Sequence, residues 1–237
     1  MLQACLNGNR DKSFHPALPC TPAELARDAR EVVAEGAEAL HVHPRDGTGR
    51  ESVHPDDTAA ALHAIRDSVP FIPVGLSTGW WIPPGGRERQ AHIAAWHVLP
   101  DYVSVNLIEE DAPEILALAL EKGIGVEAGL WSTRDAERFA ALAAAPRCLR
   151  VLLEINEQDS AEAAGIVREI LGILQRAGLR LPCLLHGLDA TKWSLHREAL
   201  RRGLDTRIGL EDGKLLPSGT IAEGNAALIR AACALQR

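Results

Sequence analysis

The chain has 237 residues, 46% of them hydrophobic and 24% charged, enough for a substantial buried core in a globular protein. A net charge of −7 disfavours nucleic acid and anionic membrane surfaces as partners, because neither meets a basic footprint. No apolar run reaches the length of a membrane span, and the five scattered cysteines form no CxxC pair, which points to reduced thiols in a cytoplasmic protein.

Taken in order, short apolar strands alternate with amphipathic helices. Residues 2–6 read as a first strand ending at Asn7-Gly8. Thr21, Pro22 and Glu24 open a helix with a capping residue, a proline in its first turn and a glutamate three positions on; Gly36 stops it. Strand two, 39–43, precedes a helix that opens at His54-Pro55 and ends near Asp67. Strand three is expected over 71–76, with a helix over 86–95. Strand four, 102–106, leads to a helix over 112–121 that Gly123 stops. Strands at 125–128, 149–154, 182–186 and 206–210 then alternate with helices at 132–143, 160–177, 191–201 and 220–235. Eight strand–helix units with short connections predict a (β/α)8 TIM barrel, a single domain over residues 1–237. A doubly wound sheet holding a dinucleotide would show a GxGxxG turn after the first strand, and Asn7-Gly8-Asn9-Arg10-Asp11 is not one.

Such a barrel carries its chemistry at the C-terminal ends of its strands. Those ends gather Asn7 and Arg10, His41 and His43, Ser77 and Thr78, Asn106, Glu127, Glu154, His186, Arg207, Glu211 and Asp212. His41 and His43 stand two apart on one strand, so both imidazoles project to the same side and make half a site for a divalent metal such as zinc. Glu211 is the expected third ligand, since a His2Glu set leaves positions open for a substrate oxygen; Glu154 and His186 are rivals. Asp212 is placed for proton abstraction, with Arg207 and Glu127 as a buried pair that tunes it or as a plain ion pair. Asn7, Arg10, Ser77, Thr78 and Asn106 are candidate substrate contacts. Three Phe and one Tyr against five Trp, four of the latter near strand-end loops (Trp80, Trp81, Trp131, Trp193), suggest flat pocket walls.

Leu6-Asn7-Gly8-Asn9-Arg10, the stretch from Ala39 to Arg50 with its HxHxRD core, Gly75-Leu76-Ser77-Thr78-Gly79 and Thr206–Gly213 with its GLED core together resemble the β-keto acid cleavage enzymes. That family includes the 3-keto-5-aminohexanoate cleavage enzyme. The resemblance implies a zinc-binding barrel that forms homo-oligomers and converts a β-keto acid plus acetyl-CoA into acetoacetate plus a new acyl-CoA. It implies His41, His43 and Glu211 as zinc ligands, Asp212 with Arg207 and Glu127 handling the proton, and Ser77 with Asn106 near substrate. Where the aminohexanoate enzyme carries a glutamate for the substrate's amino group, this chain has Arg10, which either favours a neutral or anionic side chain on the substrate or simply faces solvent. The competing readings are a metal-dependent barrel aldolase or isomerase acting on a sugar or hydroxy acid, and a non-catalytic barrel that binds metal or carboxylate.

Overall fold

A computed structural model describes residues 1–236. The strands are β1 (Leu2–Cys5), β2 (Ala39–Val42), β3 (Val74–Ser77), β4 (Tyr102–Asn106), β5 (Gly125–Leu130), β6 (Arg150–Ile155), β7 (Cys183–Gly187) and β8 (Asp205–Ile208). The helices are α1 (Pro22–Ala34), α2 (Pro55–Ser68), α3 (Gly86–Ala94), α4 (Ala112–Glu121), α5 (Thr133–Ala140), α6 (Ser160–Arg176), α7 (Lys192–Arg202) and α8 (Asn225–Leu235). The strands form a closed parallel barrel in chain order, β1 to β8, each followed by a helix: a (β/α)8 TIM barrel. Strands covered on both faces carry near-continuous burial, as in β1, β2, β3 and β4, every residue of which is buried.

The chain divides into two compact units, 1–101 with 208–236 and 102–207. In the first, α1 packs beside α2, and each buries an apolar face: Leu25, Ala29 and Val32 in α1, and Ala59, Leu62 and Ile65 in α2. The expected capping box at Thr21 is present: its hydroxyl accepts from the Glu24 amide, and the Glu24 carboxylate accepts from the Thr21 amide. Asn225, fully buried at the start of α8, ties three segments together. Its amide nitrogen donates to Leu6 O (2.7 Å) and Asp28 Oδ2 (2.6 Å), and its oxygen accepts from Leu210 N (2.7 Å). In the second unit, Ser132 and Asp135 form another capping box. Arg138 binds the carbonyls of Leu107, Glu109 and Glu110 at 2.5, 2.5 and 2.7 Å and holds the loop after β4.

Three expected boundaries move by three residues or more. β3 starts at Val74, not at residue 71: Phe71 lies in a turn, 93% exposed, with Pro70 and Pro73 on either side breaking any strand there. α8 starts at Asn225, not at residue 220. Residues before it turn back on themselves, with Leu215 bridging Ile221 and Leu216 N donating to Thr220 O (2.8 Å). α5 ends at Ala140, and the alanine-rich stretch beyond it closes in a 3-10 turn over Ala145–Arg147.

Candidate metal centre

The first unit builds the site from two directions. β2 delivers His41, fully buried in register with Cys5 of β1, and His43 follows two residues later on the same side. Asn7 fixes the second histidine through its backbone: Asn7 Oδ1 accepts from His43 N and Asn7 Nδ2 donates to His43 O, both at 2.9 Å. From the far end of the chain, the segment after β8 brings Glu211. The glutamate needs Gly8, whose φ is +57° and whose missing Cβ leaves the space taken by Glu211 Cγ.

Among the described residues, the metal-type donors that converge are His41, His43 and Glu211. His41 Nε2 lies 3.1 Å from His43 Nε2, and Glu211 Oε1 lies 3.7 and 3.5 Å from the two nitrogens. Ligand distances of about 2.1 Å around a tetrahedral zinc put neighbouring donors about 3.4 Å apart, so this triangle has the right size and donor chemistry for the ion. The other side of His43 is also occupied: its Nδ1 meets Glu51 Oε1 at 2.5 Å, and Trp81 Nε1 donates to both Glu51 oxygens at 3.2 and 3.1 Å. Burial opposes a charged ring here, but the carboxylates of Glu211 and Glu51 outweigh it and push His43 up to about 9. A cation bound at Nε2 would take the place of that proton.

Asp212 is fully buried and accepts from the Cys5 thiol at 3.0 Å. Arg10 donates from Nε to Glu211 O (3.4 Å), and its guanidinium lies 4.3 Å over the Phe14 ring. Ser77 and Thr78 are buried at the end of β3, where Ser77 Oγ accepts from Gly79 N and Thr78 O accepts from Arg89.

In the second unit, Asn106 is buried and donates to Glu109 (3.1 Å). Glu127 is paired with Arg150 at 3.1 Å. Arg207 donates from Nε to His186 Nδ1 (3.3 Å) and lies 4.0 Å from Glu154, which is itself 3.6 Å from His186. The two rival ligands thus face one another and Arg207, and neither belongs to the His41–His43–Glu211 group.

The profile of the β-keto acid cleavage enzymes matches residues 1–237. This chain belongs to that family. It is similar to a 3-oxoadipate:acetyl-CoA acetyltransferase from Cupriavidus necator, 26% identical over 94% of this chain and 83% of the relative. It is also similar to a 3-keto-5-aminohexanoate cleavage enzyme from Fusobacterium nucleatum subsp. nucleatum, 31% identical over 33% of this chain and 29% of the relative. Among solved structures, the ternary complex of ObcA with a C4-CoA adduct and oxalate superposes with a TM-score of 0.75 at 17% identity, a likeness of fold. It covers 91% of this chain, which spans 62% of the length of ObcA.

Sequence reasoning within this family missed Glu51 and the work of Asn7. Asn7, a candidate substrate contact in the sequence, uses its amide on the His43 backbone and on Pro19 O (3.1 Å), and so helps to place His43. Glu51 was legible in part. Asp46-Gly47-Thr48-Gly49 is a tight-turn sequence, and the turn it makes, with Asp46 N donating to Arg50 O (2.8 Å), brings Glu51 back beside Arg45 and within reach of His43.

Proposed function

We propose that the chain, working as one (β/α)8 domain, is a zinc-dependent enzyme that converts a β-keto acid and acetyl-CoA into acetoacetate and a new acyl-CoA. The observation that carries this reading is the convergence of His41, His43 and Glu211 in a chain of the β-keto acid cleavage family. A divalent cation bound there supplies Lewis-acid polarisation of keto and carboxylate oxygens. Asp212 then takes the proton from the carbon between those two groups, its carboxylate being buried one residue past Glu211. That carbon attacks the thioester carbonyl of acetyl-CoA and releases CoA as thiolate. The thiolate adds to the original keto carbon, the bond between that carbon and the acidic one breaks, and the latter recovers the proton. Arg207 and Glu127 are assigned to the proton network, and Ser77, Thr78 and Asn106 to substrate, on the strength of the family resemblance.

Arg10 supports an anionic side chain on the β-keto acid, because its guanidinium stands beside the Glu211 backbone. The name of the Cupriavidus relative, which specifies the dicarboxylate 3-oxoadipate, points the same way. We place the protein in the cytoplasm on its scattered free cysteines and as a homo-oligomer on the family resemblance; no helix among the described residues is long and apolar enough to cross a membrane.

The test is to incubate the zinc-loaded protein with acetyl-CoA and a panel of β-keto acids, mono- and dicarboxylic, and to assay acetoacetate. Turnover without the thioester would favour an aldolase, and no turnover across the panel a binding barrel. His41→Ala and Glu211→Gln are expected to lose bound zinc, whereas Asp212→Asn keeps the metal and loses at least about a hundredfold in turnover. Full metal content in both ligand variants would refute the ligand assignment.

A further inference from the structure

The loop after β3 reaches the metal site through a side chain that is not one of its ligands. Trp81 lies in that loop, 39% exposed, yet its indole N–H is directed at the Glu51 carboxylate, 3.1 Å from Oε2 and 3.2 Å from Oε1. Glu51 in turn holds His43 Nδ1 at 2.5 Å, opposite the Nε2 that faces His41 and Glu211. The seat of the indole is built too. A Cβ on Gly79 would come within 2.5–2.7 Å of the Trp81 ring carbons, so only glycine there lets the ring lie where it meets Glu51.

We propose that Trp81, Glu51 and His43 form a positioning relay through which the β3–α3 loop sets the affinity of the metal centre. The inference rests on the metal reading given above. Its physical basis is the outer-shell effect. A carboxylate on the far nitrogen of a ligating imidazole fixes the proton at Nδ1, aims the Nε2 lone pair inward and raises its basicity. A carboxylate with two acceptors and a flexible stem has several orientations open to it, and the indole N–H selects the one that meets His43. Glu51 and Trp81 are therefore positioning residues: neither is among the converging donors. Motion of the loop that carries Trp81 away from Glu51 would loosen His43 without touching a ligand, which couples loop position to metal retention.

The experiment is a zinc titration of chelator-stripped protein, full chain, against a competing metal indicator, with tryptophan emission followed in parallel. Glu51→Gln is expected to weaken zinc binding by about 10- to 100-fold, the usual cost of an outer-shell partner. Trp81→Phe, which removes the N–H donor that the two Glu51 oxygens share, is expected to weaken it by about threefold to tenfold. Gly79→Ala is expected to match Trp81→Phe, because it evicts the ring. Zinc should change the tryptophan emission of the wild type, and Glu51→Gln should abolish most of that change. Zinc affinities of Trp81→Phe and Gly79→Ala within twofold of wild type, or an undiminished emission change in Glu51→Gln, would overturn the relay. So would a lower melting temperature in these variants with unchanged affinity. If Glu51→Gln fails to fold, the two loop variants decide. His41→Ala separates the two readings. A wild type that binds no better than His41→Ala overturns the metal centre and the relay together. Binding that His41→Ala abolishes but the relay variants retain overturns the relay alone.

Discussion

Glu211 occupies space that exists because residue 8 lacks a side chain, and two separate penalties meet at that residue. Gly8 has φ +57°, where an alanine costs about 1–2 kcal/mol, and its Cβ would overlap the Glu211 side chain. Gly123 separates them: its φ is +76°, but a Cβ there would meet nothing within 4 Å. Gly123→Ala is therefore expected to lower stability by about 1–2 kcal/mol in denaturant melts and leave zinc affinity alone. Gly8→Ala should lose a similar amount of stability and, in addition, bind zinc at least about tenfold more weakly, because Glu211 must leave its place beside the histidines. Equal zinc affinity in Gly8→Ala and wild type would show that Glu211 has room to move and that Gly8 serves only the turn. The histidine donors were legible in the chain because two histidines at strand spacing can be read locally. Gly8 was not, because its role is set by a side chain that arrives from the other end of the sequence.

At the scale of elements, the join between α1 and α8 carries a titratable group that the proposed chemistry does not use. Asp28, buried in α1, accepts from Asn225, whose other contacts hold Leu6 O at the end of β1 and Leu210 N just before Glu211. Burial pushes the Asp28 carboxyl up to about 7, with Glu31 adding to it, against the opposing hydrogen bond from Asn225 and the charge of Arg27. The folded chain thus holds a proton that the unfolded chain gives up near its ordinary value of 3.8. Below that value the group costs nothing. As pH rises from about 4 to about 7, the unfolded state is favoured progressively, and above about 7 the penalty is constant, on the order of 4 kcal/mol. Asp28→Asn removes the titration and keeps an acceptor for Asn225. Unfolding free energies of variant and wild type should agree near pH 4 and diverge up to pH 7.5, with the variant more stable. A constant difference across that range would place the Asp28 pKa near its ordinary value. Nothing in the sequence marked Asp28, which sits in an amphipathic helix and reads as one more polar residue; its buried partner, Asn225, is 197 positions away.

For the whole molecule, the alternation of apolar strands and capped helices was enough to predict the barrel, because each unit writes its own signal within about 30 residues. Thr21 with Glu24 and Gly123 after α4 are such local signals, and they stand where expected. The signal failed where composition was ambiguous over a few residues, as at Phe71 between two prolines, or where a return turn such as that joining Leu215 to Ile221 imitated the start of a helix. It also failed for Glu51, Cys5 and Asn225, whose partners are fixed only when the chain has closed on itself. The three metal-type donors share that property. His41 comes from the second strand, His43 from the residue just past its end and Glu211 from beyond the last strand, so a cation bound by all three would join distant parts of the chain in a site that is complete only in the folded state. Binding must then stabilise the fold by mass action, by about 4 kcal/mol at a thousandfold excess of free zinc over its Kd. For a chain of this length, that corresponds to a rise in Tm on the order of 10 °C. Calorimetry of chelator-treated protein with and without added zinc should show this rise, dependent on zinc concentration, and His41→Ala should show none. An equal rise in His41→Ala would mean that zinc stabilises the chain from somewhere else, and that the three donors at the end of the barrel meet for another reason.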